Sequence, residues 1–209
     1  MPDFEIEKRF LKQGYRLIAG VDEVGRGALC GPVVAVALAL PVSLVRSPSP
    51  AWLRQTNDSK LLTPQKRREL VRFILAGAES VGVGFCSNIE VDQKNIYWAS
   101  LEAMRRAVER MPLRPDVLLI DGFELKECPY LQEGVRGGDR KSYSIAAASV
   151  VAKVLRDEIM ARCDVIFSGY SLTKNKGYGT EEHCRALQKF GQTSFHRQSF
   201  HLKSLGKVP

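Results

Sequence analysis

The sequence predicts an α/β fold, a mixed β-sheet flanked by helices and followed by a C-terminal helical lobe. Short apolar runs typical of strands alternate with longer stretches whose apolar residues recur at helical spacing. Along the chain the predicted elements are two strands, a helix, a third strand, a second helix, a fourth strand and a third helix, and a basic tail with a fourth helix comes last. We therefore expect a core over residues 1–167 and a lobe over residues 168–209 that together form one continuous fold.

Three short strands are expected in the first half of the chain. Apolar runs at residues 16–21, 33–40 and 81–87 are bounded by glycine, proline and polar turn residues. The first run leads directly into two acids and then into a Gly-Arg-Gly motif at residues 25–27. These three runs are compatible with an antiparallel meander.

Two helices are expected between the second strand and the fourth. Thr63 is a favourable N-cap and Pro64 suits the first helical position, so one helix is expected from there to about residue 78. Apolar residues then recur at helical spacing up to Pro112, which predicts a second helix. The residues of this stripe are Ile96, Ala99, Ala103, Ala107 and Met111.

A buried strand and a third helix complete the predicted core. Pro115 precedes the apolar run 117–120, which ends in Asp121, as expected for a buried strand that carries an acid at its C-terminal edge. A fourth helix is expected at about residues 181–190 in the lobe. The third helix is indicated by an apolar stripe that is rich in alanine and therefore allows close packing: Ile145, Ala148, Ala152, Leu155, Ile159 and Cys163.

The net charge of the chain indicates a polyanionic partner. Thirty-one Lys and Arg residues against 23 Asp and Glu residues leave a formal charge of +8 and a pI of about 9.4. With 44% hydrophobic and 26% charged residues, the composition is that of a globular protein, which excludes a disordered or fibrous chain.

The sequence contains no readable membrane or secretion signal. The longest apolar run, residues 33–42, is about half the length that a membrane-crossing helix requires. The N-terminus carries acids where a secretory signal would carry basic residues. The five cysteines are odd in number and widely separated, which fits neither a disulfide framework nor a Cys-x-x-Cys metal site. We expect a cytoplasmic protein with reduced thiols and no membrane association.

Four acids with mostly apolar neighbours are candidates for a catalytic or metal-binding site: Asp22, Glu23, Asp121 and Asp157. An acid at a strand end also acts as a turn or helix cap, and an ion pair with Lys153 four residues earlier explains Asp157 well enough alone. Adjacent side chains such as Asp22 and Glu23 point to opposite faces of a regular strand. They reach one site only where the strand ends, and the Gly-Arg-Gly motif provides that ending.

These residue types favour phosphodiester chemistry on a nucleic acid. Several carboxylates without a Cys or His cluster suit Mg²⁺ or Mn²⁺ rather than zinc. All three histidines lie after residue 182, apart from the acids, so a Ser-His-Asp triad has no good candidates. The glycine motif matches neither the Walker pattern nor the dinucleotide fingerprint. Carboxylates, a divalent metal and a basic surface together indicate cleavage of a nucleic-acid backbone.

Residues 20–27, Gly-Val-Asp-Glu-Val-Gly-Arg-Gly, closely resemble the signature of ribonuclease HII, the bacterial and archaeal type 2 ribonuclease H. The resemblance extends over nearly the whole chain, because further motifs follow in the family's order. They are Asn57-Asp-Ser-Lys60, Ala103-Met-Arg-Arg-Ala-Val108, Leu119-Ile-Asp-Gly122, Gly138-Asp-Arg-Lys-Ser142, Ala146-Ala-Ala-Ser149 through Ala152-Lys-Val-Leu-Arg-Asp157, Lys176-Gly-Tyr-Gly-Thr180, and His196-Arg197 with Ser199-Phe200.

The resemblance implies a ribonuclease H-like fold and a metal-dependent endoribonuclease. Its catalytic carboxylates would be Asp22, Glu23, Asp121 and Asp157, and in the active complex they would hold two divalent ions, Mg²⁺ or Mn²⁺. The family's products are a 5′-phosphate and a 3′-hydroxyl, which is consistent with in-line attack by water.

The resemblance also implies a sensor for the ribose 2′-hydroxyl, the group that distinguishes RNA from DNA at a given position. The sensor would consist of Gly25, Arg26 and Gly27 together with Tyr178, because a site built around a hydroxyl discriminates strongly against its absence. Tyr178 taken alone is equally well interpreted as a packed aromatic residue, but the glycines on both sides of it favour the functional interpretation.

Two lysines and the C-terminal lobe are further candidates for substrate binding. The resemblance implies that Lys60 and Lys141 contact phosphates, although each taken singly is also typical of a solvated lysine. The lobe has tyrosine and phenylalanine between its cations, and we interpret it as gripping a nucleic-acid strand.

The leading hypothesis is an endonuclease that cuts the RNA strand of RNA/DNA hybrids and nicks duplex DNA on the 5′ side of an embedded ribonucleotide. Two alternatives stay open: a non-catalytic module that binds RNA or hybrids, and a structure-specific DNA nuclease on the same fold. The expected partners are RNA/DNA hybrid and ribonucleotide-containing duplex DNA. A monomer is the default expectation. A replication clamp stays open as a further partner, although no motif for binding one is readable.

Overall fold

A mixed β-sheet forms the centre of the structure, a computed structural model that describes residues 1–56 and 62–200. Its five strands in this part of the chain are β1 Ile18–Val24, β2 Val33–Ala39, β3 Ser80–Cys86, β4 Val117–Asp121 and β5 Leu131–Val135. Their order across the sheet is β3-β2-β1-β4-β5. β2 pairs antiparallel with β1 and β3, whereas β4 pairs parallel with β1 and β5.

Helices cover both faces of this sheet. They are α1 Glu5–Lys12, α2 Val42–Arg46, α3 Ala51–Arg54, α4 Pro64–Gly77, α5 Asn88–Glu109, α6 Tyr143–Ile166, α7 Leu172–Asn175 and α8 Glu181–Phe190, with a 3₁₀ helix at Gly138–Arg140. α5 packs on one face, and α6 packs on the other. A Cβ atom at Gly20 would lie 2.1 Å from the carbonyl carbon of Ser144, so α6 approaches β1 closely enough to require glycine.

β2 is the most continuously apolar strand because both of its faces are covered. All seven of its residues are buried. Val33, Ala35 and Ala37 contribute to the cluster under α5, whereas Val36 and Leu38 contribute to the cluster under α6. A strand covered on both faces needs no polar alternation, which explains its uninterrupted apolar sequence.

The predicted fold class is confirmed, and the predicted strands match β1 to β4 within a few residues. β1, β2 and β3 form the expected antiparallel meander. Thr63 caps α4 by accepting a hydrogen bond from the backbone N–H of Lys66, and Pro64 is the first helical residue. The edge strand β5 and the short helices α1, α2, α3 and α7 were not predicted.

α5 begins two turns earlier than its predicted start near Ile96. Ser87 caps it in a capping box with Glu90, which is a strong helix start. Asn95 then interrupts the helix with a φ of 66°, in the left-handed region. The interruption shifts the apolar face, so helical periodicity is readable from the sequence only after it.

The C-terminal part of the described chain packs against the end of α6. A cluster of buried side chains joins the two parts: Cys30, Met160, Tyr170, Leu172, Ala186 and Leu187. Side chains on both sides of the predicted boundary at residue 167 contribute to this cluster, and the division into core and lobe stays a prediction. None of the described helices is long and apolar enough to cross a membrane.

Candidate active site

Two acids reach the same edge of the sheet because β1 and β4 run parallel. The register pairs Val21 with Ile120, so the next residue on each strand, Asp22 and Asp121, lies at this shared edge. Together with Glu23 they line a cleft of about 520 Å³, here called the acidic cleft. The structure thus brings together three of the four predicted acids.

The sequence predicts that β1 ends at Asp22 and Glu23, but the strand continues to Val24 and includes both acids. The pairing of β1 with β4 stops at Val21, while its pairing with β2 continues to Val24. Both Asp22 and Glu23 nevertheless line the acidic cleft, at the place where β1 has lost one of its two neighbours.

Asp22 is only 7% exposed and is held in a fixed orientation. Its Oδ1 atom accepts a hydrogen bond of 2.7 Å from the backbone N–H of Glu23. Burial raises the pKa of Asp22 well above its usual range, and the charges of Glu23 and Asp121 raise it further, while a hydrogen bond from Ser149 partly opposes them. A cation in the cleft would relieve this cost.

Glu23 is partly buried, with its side chain 8% exposed, and it has a cationic partner. Burial raises its pKa, Arg26 opposes this effect by charge and hydrogen bonding, and the charge of Asp121 adds a smaller increase. The distance from Arg26 Nη1 to Glu23 Oε1 is 3.2 Å. Arg26 is itself exposed, so it can move towards an incoming phosphate without leaving a buried site.

Asp121 is oriented by the 3₁₀ helix that precedes α6. Its Oδ1 atom accepts a hydrogen bond of 2.7 Å from the backbone N–H of Gly138. The next residue, Asp139, is buried and lines the acidic cleft as well. Sequence reasoning noted the segment Gly138-Asp-Arg-Lys-Ser142 but did not select Asp139. The available signal was an acid in a glycine turn directly before a buried helix.

Asp157, the fourth predicted acid, does not line the acidic cleft with the other three. Its Oδ1 atom accepts a hydrogen bond of 2.7 Å from Lys153 Nζ, and its Oδ2 atom lies 3.6 Å from Arg67 Nη2. Lys153 lines the acidic cleft, whereas Asp157 lines a separate recess with Arg67. Asp157 follows Lys153 by four residues, which places it about 6 Å further along α6. The geometry therefore supports the interpretation of Asp157 as the ion-pair partner of Lys153.

The Gly-Arg-Gly motif forms a tight loop beside the acids, here called the GRG loop (residues 25–27). Gly25 has a φ of +99°, and a Cβ atom there would lie 2.2 Å from Arg156 Nε, so this position requires glycine. The loop lines the acidic cleft together with Tyr178. Ala28 and Tyr178 form an antiparallel bridge, which joins the GRG loop to residues 176–178, here called the tyrosine loop.

The ring of Tyr178 lies near two cations. Lys153 Nζ is 5.7 Å and the guanidinium carbon of Arg156 is 5.4 Å from its centroid, distances typical of cation–π contacts. Tyr178 is partly exposed, which leaves part of it accessible from the cleft. The structure therefore brings the predicted sensor residues together next to the acids.

Of the two lysines predicted to bind phosphates, the structure describes only Lys141. Lys141 is exposed and directly follows the 3₁₀ helix that contains Asp139, so it lies close to the acidic cleft along the chain. Lys60 lies outside the described residues.

Two histidines of the C-terminal part, His183 and His196, are fully buried. His183 Nδ1 lies 3.0 Å from the carbonyl oxygen of Tyr178, and because a carbonyl only accepts, this nitrogen carries a proton. His196 Nδ1 accepts a hydrogen bond of 3.0 Å from the backbone N–H of Thr193, so its proton lies on Nε2. The two Nε2 atoms are 3.1 Å apart, and His196 donates to His183.

This histidine pair is a neutral network. Burial lowers the pKa of His196 to about 4 and also lowers that of His183. Cys30 lies close enough to complete a three-residue cluster, with ligand atoms within 4.8 Å of one another. Burial raises the pKa of the Cys30 thiol to about 12. A metal ion would have to bind Nε2 of His196, but that nitrogen carries the proton in this arrangement. Hydrogen bonding therefore explains the cluster better than metal binding does.

The acidic cleft has the donor set that a hard divalent cation prefers. Asp22, Glu23, Asp121 and Asp139 offer carboxylate oxygens only, which suits Mg²⁺ or Mn²⁺ and not zinc. The raised pKa of Asp22 and that of Glu23 show that these charges repel one another and are poorly solvated. The residues therefore fit a metal site that is completed by cations.

Comparison with known proteins agrees with this geometry. The chain matches the family model described as Ribonuclease HII over residues 19–203. A ribonuclease HII from Moorella thermoacetica is 47% identical over 194 residues, which are 93% of this chain and 91% of the relative. A match of this extent establishes the family.

Solved structures with lower identity share the fold. The ribonuclease H2 of Pyrococcus horikoshii has a TM-score of 0.72 at 21% identity, covering 88% of this chain and 93% of that chain. A chain of the PCNA:RNase HII complex from Archaeoglobus fulgidus has a TM-score of 0.69 at 23% identity, covering 87% and 92%. By sequence and by fold, the chain belongs to the ribonuclease HII family, whose members are metal-dependent endoribonucleases of the ribonuclease H type.

Proposed function

We propose that this chain hydrolyses the RNA strand of RNA/DNA hybrids and nicks duplex DNA on the 5′ side of an embedded ribonucleotide, leaving a 5′-phosphate and a 3′-hydroxyl. The observation that carries the proposal is that one cleft holds both the buried acids and the loops expected to read a ribose. Cleavage chemistry and sugar recognition would therefore act on the same nucleotide.

The proposed ligands of two divalent ions are Asp22, Glu23, Asp121 and Asp139. Divalent ions held by these acids would generate hydroxide from water and stabilise the departing 3′ oxygen. The chain itself orients the acids, because the backbone N–H groups of Glu23 and Gly138 bind Asp22 and Asp121. Fixed carboxylates supported by such bonds lose little order when a charged substrate arrives.

The GRG loop and Tyr178 are the proposed sensor of the 2′-hydroxyl. A 2′-hydroxyl both donates and accepts hydrogen bonds, so backbone groups of a glycine loop and a tyrosine hydroxyl are suitable partners. A nucleotide without this hydroxyl would leave those partners unpaired in a confined site, which disfavours DNA. Arg26, Lys141 and Lys60 are proposed to contact phosphates, which position the strand without selecting the sugar.

The proposal is tested with the wild-type protein and three duplexes of one sequence: an RNA/DNA hybrid, a DNA duplex with one ribonucleotide, and an all-DNA duplex. With Mg²⁺ or Mn²⁺ we expect cleavage of the first two, and chelation of the metal should stop it. Equal cleavage of the all-DNA duplex would instead favour a structure-specific DNA nuclease. Binding of the hybrid without cleavage across a metal titration would favour a non-catalytic module.

A matched pair of variants assigns the activity to the acidic cleft. Asp121→Asn should reduce cleavage by more than about 100-fold, because it removes a proposed metal ligand but keeps the side-chain shape. Glu124→Gln removes an exposed acid three residues later in the chain and should leave cleavage unchanged. Full activity of Asp121→Asn would remove this residue from the proposed site.

A further inference from the structure

Two arginines next to the acidic cleft are fully buried. Arg156, on α6, and Arg197 are each 0% exposed. Among residues 1–56 and 62–200, neither guanidinium forms an ion pair with a carboxylate. Burial of an unpaired cation is strongly unfavourable unless all its donors are well bonded, so the arrangement requires a compensating set of contacts.

Arg197 binds the backbone of the segment that begins with the GRG loop. Its Nη1 donates to the carbonyl oxygen of Arg26 at 2.9 Å. Its Nε and Nη2 both donate to the carbonyl oxygen of Gly31, at 3.1 and 2.9 Å. The backbone N–H of Arg197 donates to the carbonyl oxygen of Leu29 at 2.9 Å. One residue therefore holds three carbonyl groups of this segment.

Arg156 links the same segment to the tyrosine loop. Its Nε donates to the carbonyl oxygen of Pro32 at 2.9 Å, and its Nη2 donates to that of Cys30 at 3.1 Å. Its Nη1 donates to the carbonyl oxygen of Lys176 at 2.8 Å, within the tyrosine loop. The same guanidinium lies near the ring of Tyr178 and in the space that a side chain at Gly25 would need.

All the acceptors of these two guanidinium groups are backbone carbonyl oxygens. The contacts therefore fix the backbone conformation of the loops and neutralise no side-chain charge. Bonds from an ionised donor are stronger than neutral ones. A planar guanidinium fork also fixes the direction of each bond. A lysine keeps the charge but cannot bind three carbonyls in these fixed directions, so replacing arginine with lysine separates geometry from charge.

We propose that Arg156 and Arg197 are positioning residues for ribose recognition: they hold the GRG loop and the tyrosine loop in the relative geometry that reads the 2′-hydroxyl. Neither residue touches the reacting atoms in this role. The inference rests on the proposed function and adds to it the residues that set discrimination between ribose and deoxyribose.

The test measures the affinity of two duplexes of one sequence, with and without a single ribonucleotide, in Ca²⁺ in place of Mg²⁺. Arg197→Lys and Arg156→Lys should each reduce the ratio of the two affinities by at least about tenfold, because small displacements of binding groups have large effects. Affinity for the all-DNA duplex should stay within about twofold, because two of the three proposed phosphate contacts, Lys60 and Lys141, lie outside both loops.

Arg106→Lys is the matched control. Arg106 donates to the carbonyl oxygen of Phe85 at 2.8 Å and pairs with Glu90 and Glu102, away from both loops. This variant should keep the wild-type ratio. Urea unfolding of all the variants shows which of them are folded, and kcat and KM with Mg²⁺ show whether the loss follows ribose binding.

The outcomes separate the positioning proposal from the proposed function. If the wild-type protein binds both duplexes equally and cuts neither, the proposed function fails and the inference fails with it. If the wild-type protein discriminates and the folded Lys variants discriminate equally well, only the positioning proposal is overturned. It is also overturned if both Lys variants fail to fold, because the arginines would then be needed for the whole structure.

Discussion

The two walls of the acidic cleft are built in different ways. The acid wall, formed by Asp22, Glu23, Asp121 and Asp139, is carried mainly by the ends of two paired strands. The reading wall, formed by the GRG loop and Tyr178, belongs to loops that the side chains of Arg156, Arg197 and His183 hold through backbone carbonyls. The sheet fixes the acid wall through the same ladder that forms the core, whereas the reading wall depends on a few buried polar side chains.

This difference means that the walls should fail in different ways. A substitution in the acid wall should remove a negative charge and reduce cleavage but leave the β-sheet intact. A substitution that affects the reading wall or its supports should leave the chemistry intact and change which sugar is accepted. Substitutions away from both walls and their supports should affect stability only.

The largest expected effect distinguishes Asp139, which lines the acidic cleft, from Asp157, which does not. Asp139→Asn should lower cleavage of a ribonucleotide-containing duplex by more than about 100-fold, because Asp139 is proposed as a metal ligand. Asp157→Asn should lower it by less than about tenfold, because it weakens only the ion pairs of Asp157 with Lys153 and Arg67. Single-turnover cleavage rates of the two variants measure this, and the reverse order would restore Asp157 to the acid wall.

A smaller effect is expected from the reading wall. Tyr178→Phe removes only the hydroxyl, and it should lower the preference for the ribonucleotide-containing duplex over all-DNA by about tenfold. The residual cleavage should keep its dependence on Mg²⁺, because the acid wall is unchanged. Competition between the two duplexes measures the preference. A preference unchanged from wild type would mean that Tyr178 is a packed aromatic residue.

The acid wall should also make the metal-free protein less stable as pH rises. The pKa of Asp22 is raised in the folded state. Between its ordinary value of 3.8 and this raised value, the folded state binds more protons than the unfolded state, so the free energy of unfolding falls with rising pH. Asp22→Asn should reduce this fall, because it removes the carboxyl group that binds the extra proton.

Urea unfolding between about pH 5 and 8, with and without Mg²⁺, measures this effect. The comparison with Asp22→Asn is needed because His183, whose pKa is lowered by burial, contributes with the opposite sign below its ordinary value of 6.5. Mg²⁺ should reduce the fall in the wild-type protein but have less effect in the variant. Parallel curves for the two proteins would contradict the prediction.

The smallest effect is expected at a helix end outside both walls. Thr63→Ala removes the side-chain acceptor that caps α4 and should lower the free energy of unfolding by about 1 kcal/mol, with no change in cleavage or sugar preference. Thr63→Ser keeps the acceptor and should stay close to wild type. Thermal or urea unfolding measures both variants, and a change in sugar preference would show that the reading wall is coupled to the general frame.

The sheet and three members of the acid wall could be predicted because strands leave a periodic signal. An apolar run that ends in an acid identifies Asp121, and parallel pairing of β1 with β4 brings it to Asp22. Asp139 lies in a turn, where no periodicity marks it. The separate position of Asp157 was not predictable, because the sequence does not show how far along α6 the cleft extends.

The supports of the reading wall were not predictable for a different reason. Arg156 and Arg197 bind carbonyl oxygens, which every residue possesses, so their partners have no signature in the sequence. The burial of His183 and His196 likewise depends on the packing of α8 against the end of α6. Such contacts become visible only when the segments are placed in three dimensions.

The parallel pairing of β1 and β4 has a consequence for the order of assembly during synthesis. Asp22 emerges from the ribosome early but meets Asp121 only after about half the chain has been made, since a parallel crossover requires the intervening helices. Arg197 is made later still, and it completes the support of the GRG loop. A nascent chain would therefore bring together the acids proposed to bind the metal ions before it completes the contacts proposed to select the sugar.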